Sequence, residues 1–335
     1  MTVDSQPSPL IEAFVKRLKL PWYVVTVIFA VFLLLTLVLV AYLDGDLTSP
    51  FEWNYWRTGI QGPVLLIYIF TIYPAISKMG DNAIKSLQPL LILDNEPVKQ
   101  LISGYSLPNR RGEWISLAIG GVLILLLTQP WRGYLQWLEI YLVVIEMALF
   151  GFLALLIYSG LHNARYVAKL NQNINLDIFD IGVLTPVARW SLAVSFAFIG
   201  GIVISIIFQT AENLMQWQII MIYVILVGAT IAIFFISMLS THNAISRVKK
   251  RELAFVTEKL TEASRDLKQK ASKSADADTR ELYYAVAAWG LYERRIREVK
   301  EWPLNAGIIS RLILSVVSPW VVYLIKVLLG MVIGL

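Results

Sequence analysis

Seven stretches of predominantly apolar sequence dominate this chain, at residues 22–43, 59–77, 114–130, 137–158, 190–210, 217–239 and 304–333. Each is long enough to cross a bilayer, whose ~30 Å hydrocarbon core takes roughly 20 helical residues. In lipid every backbone N–H and C=O must be satisfied within the segment, so such stretches fold as helices. The expected fold class is therefore all-α, a polytopic membrane protein of seven transmembrane helices. Composition agrees, with 57% hydrophobic and 16% charged residues, where a soluble domain averages about 25% charged. The first stretch exceeds a signal-peptide core and lacks a small-residue cleavage site, so it reads as a retained anchor.

Lysine and arginine set the orientation, because cytoplasmic loops carry their excess. Lys16, Arg17 and Lys19 precede span 1, and Lys78, Lys85, Lys99, Arg110 and Arg111 separate spans 2 and 3. Arg165, Lys169 and Arg189 separate spans 4 and 5, and fourteen more lie between spans 6 and 7. The opposite loops hold Arg57 and Arg132 alone. The N-terminus is thus expected in the cytoplasm and the C-terminus outside, in a plasma membrane or a topologically equivalent one. Tryptophan, which prefers the interface, alternates accordingly. Trp22, Trp114, Trp190 and Trp302 open the odd-numbered spans, while Trp53, Trp56, Trp131, Trp137 and Trp217 mark the outer ends.

The inner ends of spans 2, 4 and 6 read alike: Asp81-Asn82-Ala83-Ile84, His162-Asn163-Ala164-Arg165 and His242-Asn243-Ala244-Ile245. Gly120-Gly121 and Gly200-Gly201 recur inside spans 3 and 5. The pattern predicts three two-span repeats followed by a seventh helix, an arrangement found in membrane transport proteins. Residues 241–302 differ in kind. Leu253, Val256, Leu260, Ala263 and Leu267 form one apolar seam, and Leu282, Val286, Trp289, Ile296 and Val299 form another. The expectation is a cytoplasmic antiparallel hairpin, with span 6 continuing unbroken into its first helix. Lys273–Asp278 would form the turn, and Asp278 or Thr279 the cap of the second helix. The domains are then 1–240, 241–302 and 303–335.

Ionisable residues inside spans are costly and mark interior or aqueous faces. Span 4 carries Glu139 and Glu146, which share a helix face, and depth suits a Glu139–Lys326 pair. Span 7 carries a polar stripe of Arg311, Ser315, Ser318 and Lys326, interrupted by Pro319. Basic rings select anions in pores, so this stripe is the candidate ion path, with Glu139 and Glu146 as its charge partners. Two histidines and a carboxylate are a known ligand set, which makes Asp81, His162 and His242 a candidate metal site. The alternative is that each meets the carbonyls of a helix end. The acidic segment Asn175–Asp180 suits a loop anchor better than a cation site.

Cysteine is absent, and the two histidines are too few for HExxH or three-histidine zinc chemistry. Walker A, GxSxG and intramembrane aspartyl-protease patterns are missing as well. A non-enzyme with no cofactor is expected. The net charge of +5 sits between hydrophobic spans, which argues against nucleic acid and for the lipid bilayer as partner.

The stretch from His162 through Asn175–Asp180 to Pro186 resembles uncharacterised multi-span bacterial proteins and implies no activity. The general plan is similar to the insect-chemoreceptor-like superfamily. That likeness implies seven spans, long cytoplasmic helix extensions, homo-oligomerisation and a last helix lining an ion pore. The superfamily's aromatic–glutamine signature in that helix is absent, since Ser318-Pro319-Trp320-Val321-Val322-Tyr323-Leu324-Ile325-Lys326 stands there. The function expected is an oligomeric, anion-favouring channel or receptor-channel of unknown ligand. The alternatives are a secondary transporter with a site near Glu146, and a sensor or scaffold acting through the hairpin. Span 7 on an oligomer axis favours the channel, and Glu146 in a closed midplane cavity favours the transporter.

Overall fold

The structure, a computed structural model, describes residues 10–45, 53–91, 110–130, 136–214, 216–271, 277–302, 310, 314 and 317–325. Among these the chain is helical throughout, with one isolated bridge between Leu91 and Ile174. The helices are α1 (Leu10–Leu18), α2 (Trp22–Leu43), α3 (Trp53–Leu87), α4 (Arg110–Thr128), α5 (Trp137–Leu170), α6 (Thr185–Phe208), α7 (Ala211–Leu214), α8 (Trp217–Ala271) and α9 (Ala277–Glu298). Six of them, α2 to α6 and α8, are long and apolar enough to cross a membrane. They coincide with the first six expected spans. Of the seventh stretch, residues 317–325 are helical, while Arg311, Ser315 and Lys326 lie outside the described residues.

These helices are apolar around most of their circumference, as membrane spans are. In α2, Leu33 and Leu37 are buried against the bundle while Leu35 and Leu39 are exposed. Lipid tails are as apolar as leucine, so small residues and polar contacts govern how such helices meet. Gly120 of α4 lies so close to the Phe150 carbonyl that a side chain would displace it, and Gly151 of α5 faces the Leu117 carbonyl in return. Proline inside a helix frees the carbonyl four residues earlier. Pro74 of α3 does this to Phe70, and the Trp22 indole N–H donates to that carbonyl at 2.7 Å. The carboxylate of Asp44, just past α2, accepts from the Trp137 and Leu138 N–H groups at 3.1 and 2.8 Å. It thereby caps the first turn of α5, whose donors have no partner within the helix.

Four helices close a ring, because α3 meets α5, α5 meets α8, α8 meets α6, and α6 meets α3. Specific contacts join each pair. Gly62 of α3 receives Ile145 of α5, and Gly160 of α5 receives Ile233 of α8. Ser191 and Ser237 hydrogen-bond between α6 and α8 at 3.0 Å. The Tyr68 hydroxyl of α3 donates to the Ala197 carbonyl of α6 at 2.9 Å. The three repeated motifs converge at one end of this ring, where Ala83, Ala164 and Ala244 are buried in a single apolar cluster. Alanine suits this meeting point, since a larger side chain on three packed helices would hold them apart.

Beyond the ring, α8 continues without a break for 55 residues in all and pairs with α9. Val256 and Ile296 are fully buried between them, packed with Leu253, Trp289 and Val299. The expected seam is therefore present at this end of the hairpin. Ile178, from the acidic segment between α5 and α6, is buried in the same cluster. That segment is a loop anchor whose apolar residue, rather than its acids, makes the contact. Burial pushes the Tyr292 hydroxyl above its ordinary range, and Glu252 and Asp177 push it the same way. Helix α9 begins at Ala277, so Asp278 and Thr279 fall inside its first turn and do not precede it as caps. Of the expected turn at 273–278, Ala277 and Asp278 belong to α9 instead, and 273–276 lie outside the described residues. The return toward the bundle is pinned at Trp302, which stacks on His242 with ring centroids 4.2 Å apart. The Glu301 carbonyl and the His242 Nδ1 are 3.1 Å apart.

Candidate functional site

Between the ring helices, with α4 contributing Ile124, Leu127 and Thr128, lies a cavity of about 990 Å³, lined along α3 from Arg57 to Lys85. That volume lies at the upper end of the range for small-molecule sites. Its wall from α5 includes a helical stripe, Leu142, Glu146, Leu149, Leu153 and Leu156, with Ile145, Phe150, Ser159 and Asn163 also in the lining; the stripe has the three- and four-residue spacing that keeps side chains on one face. Glu146 is the single ionisable group in that stripe, and the rest is leucine. From α8 the wall is Ile219, Ile222, Tyr223 and Leu226. The cavity is thus apolar along its middle, with one carboxyl group set into it.

Both ends are polar: Glu12, Asp81 and Lys85 line one, and the composition of the other follows from where α6 stops. The helix ends at Phe208, and Gln209 leaves it in an extended conformation. The last carbonyls of a helix have no partner inside it. Arg57 of α3 supplies one, its Nε donating to the Phe208 carbonyl. Four neutral side chains then link three helices. The Gln209 amide donates to the Gln61 side-chain oxygen at 3.0 Å, and the Gln61 amide donates to Ser205 Oγ at 3.2 Å. Ser205 Oγ and the Tyr223 hydroxyl lie 3.0 Å apart in a further hydrogen bond. Arg57 Nη2 is buried and has no hydrogen-bond partner among the described residues. Every one of these five side chains lines the cavity.

The residues expected from sequence divide sharply. Glu146 is in the cavity wall, while Glu139 is exposed in the first turn of α5, where an acid suits the helix N-terminus. Ser318 is half-buried and the adjacent Pro319 is buried. Arg311, Ser315 and Lys326 are not among the described residues, so the Glu139–Lys326 pair also falls outside them. The proposed metal ligands do not assemble. Among the described residues no three His, Asp or Glu side chains group as a metal site. His242 is occupied by Trp302, His162 lies beside Tyr158 with ring centroids 6.2 Å apart, and Asp81 lines the cavity. Three motifs can share a cluster through their alanines while their first residues leave it in different directions.

Arg57, Gln61, Ser205, Gln209 and Tyr223 were not legible as a site from sequence. Arg57 read as a loop charge, and attention to ionisable residues passed over Gln61 inside an apolar span. A buried amide also needs partners, and that requirement is the signal it carried. Compared with protein-family models, with curated proteins and with solved structures, the chain finds no match.

Proposed function

We propose that this protein is a membrane carrier, a secondary transporter that binds its substrate in the cavity between α3, α5, α6 and α8. The observation that carries this reading is Glu146, which lines the cavity within the apolar part of the bundle. A carboxyl group placed there is costly unless it is used. Convergent polar groups at one end of a largely apolar cavity are the general form of a small-molecule site.

A seven-span arrangement with the N-terminus inside fits the same picture. Trp302 meets α8 at His242, and Val322 and Tyr323 pack with Ile202, Ile206 and Ile219 near its other end. That path supports a seventh crossing beside α6 and α8. The lysine and arginine distribution then puts Arg57 toward the outside and the hairpin in the cytoplasm of a plasma-membrane-type bilayer. An oligomeric pore lined by the last helix is less well supported. Trp320, Val321 and Leu324 are exposed on that helix, while Ser318 and Pro319 turn toward the bundle.

Reconstituted proteoliposomes test the carrier reading with a panel of radiolabelled organic anions, amino acids, sugars and inorganic ions. At least one solute is expected to enter saturably, and Glu146→Leu is expected to reduce that rate by tenfold or more. A non-saturating conductance would favour the pore. Transport of no solute would leave a scaffold role for the hairpin.

A further inference from the structure

We propose that the cavity recognises an organic monoanion, a molecule bearing one carboxylate on an apolar body, with the carboxylate held by Arg57. This rests on the carrier reading above and names its substrate class. Arginine offers five N–H donors in a fixed fork and keeps its charge. At Arg57 the Nε bond to Phe208 fixes one edge of that fork, and the buried Nη2 has no partner among the described residues. A buried donor on a charged group is costly to leave unmade. An incoming carboxylate removes that cost, because guanidinium and carboxylate match in a two-bond geometry.

The surroundings define the rest of the ligand. Gln61, Gln209, Ser205 and Tyr223 are neutral and already hydrogen-bonded to one another, so they orient a ligand without cancelling the arginine's charge. Glu146 is the acid nearest along the wall. Its neighbour Ile145 meets Gly62, five residues and therefore about 7.5 Å of helix rise from Arg57. A second negative charge on the ligand would lie toward that acid, which favours a monocarboxylate over a dicarboxylate. Beyond Arg57 the wall is Leu65, Ile69, Leu149, Ile202 and Ile222, which suits an apolar body. Such a molecule can arrive from water or from the bilayer as a fatty acid, and both present the same carboxylate.

The full-length protein in lipid nanodiscs is titrated calorimetrically with phenylacetate, its neutral isostere phenylacetamide, phenylmalonate and decanoate. Phenylacetate is expected to bind at least tenfold more tightly than phenylacetamide and more tightly than phenylmalonate. Arg57→Gln is expected to abolish that preference while keeping the phenylacetamide affinity, which also shows that the variant is folded. Arg57→Lys keeps the charge and is expected to retain part of the preference. Decanoate binding above phenylacetate identifies the bilayer as the source, and the reverse identifies water; either supports Arg57 as the anchor. Equal binding of phenylacetate and phenylacetamide to the wild type, or an unchanged preference in Arg57→Gln, overturns the anion assignment alone. Binding of none of the four compounds overturns it together with the carrier reading.

Discussion

Ile296→Asp is expected to detach the helical hairpin of α8 and α9 and make it a protease substrate. Ile296 is fully exposed to neither water nor lipid; it is buried at 0% accessibility between Val256 of α8 and Ile178 of the loop between α5 and α6. Aspartate there would bury a charge among the apolar side chains Ile178, Val256 and Leu253, at a cost of about 2–4 kcal/mol. Outside this cluster the hairpin is held by the Trp302–His242 stack and by polar contacts. The remaining bonds are peripheral, such as Lys249 Nζ donating to the Arg297 and Val299 carbonyls at 3.1 and 2.8 Å. Limited trypsinolysis in detergent, read by mass spectrometry, should show cleavage after Arg280 or Arg294 at least tenfold faster than in the wild type. The membrane part should remain intact. Unchanged cleavage would mean that the hairpin is held elsewhere.

Trp190→Ala is expected to destabilise the bundle itself, by about 3–5 kcal/mol, the usual cost of emptying a large buried aromatic site. The indole is 2% exposed and lies in the cluster that joins the ends of α3, α5, α6 and α8. Gly80 is glycine because Trp190 occupies its flank, where a Cβ would lie 3.1 Å from the indole nitrogen. In a membrane the loss comes mostly from packing, since lipid tails would solvate an exposed indole almost as well. The void would adjoin the cavity, so the ring itself should loosen. A fall in detergent melting temperature of several degrees would bear this out. An unchanged melting temperature would show that Trp190 is an interfacial side chain after all.

Trp190 also shows where sequence reasoning reaches its limit. Trp114, Trp137 and Trp217 are exposed at the helix ends, as the interfacial preference of indole requires. Trp190 occupies an equivalent position in sequence but turns inward, and hydropathy cannot separate those two directions. Span positions were legible because about twenty apolar residues have few other folds available. The unbroken run of α8 into the hairpin and the seam at Val256 and Ile296 were legible through their periodicity. Ile178 was not, because the three apolar residues of that short acidic loop, Leu176, Ile178 and Phe179, are too few to show a period. The repeated motifs were legible as a repeat, yet their histidines misled. What the three motifs share in the structure is the buried alanine at the third position, while their first residues form no metal group among the described residues.

The candidate site was half legible for a related reason. Glu146 stands out because an ionisable group within a span is rare. The polar group at the far end of the cavity, Arg57, Gln61, Ser205, Gln209 and Tyr223, comes from α3, α8 and the end of α6, and its convergence depends on which helices close the ring. Nothing in the order of the spans dictates that α6 sits between α3 and α8.

The central claim is that the faces of α5 and α8 toward the ring border an aqueous cavity while their opposite faces meet lipid. The chain has no cysteine, so single cysteines can be introduced without background. Leu142 and Ile222 line the cavity, whereas Val144 and Val224, two residues further along each helix, are 58% and 65% exposed on the outer surface. Labelling in native membranes with a charged, water-soluble methanethiosulfonate reagent should modify Leu142→Cys and Ile222→Cys at least tenfold faster than Val144→Cys and Val224→Cys. Equal, slow labelling at all four positions, or faster labelling at 144 and 224, would contradict the account.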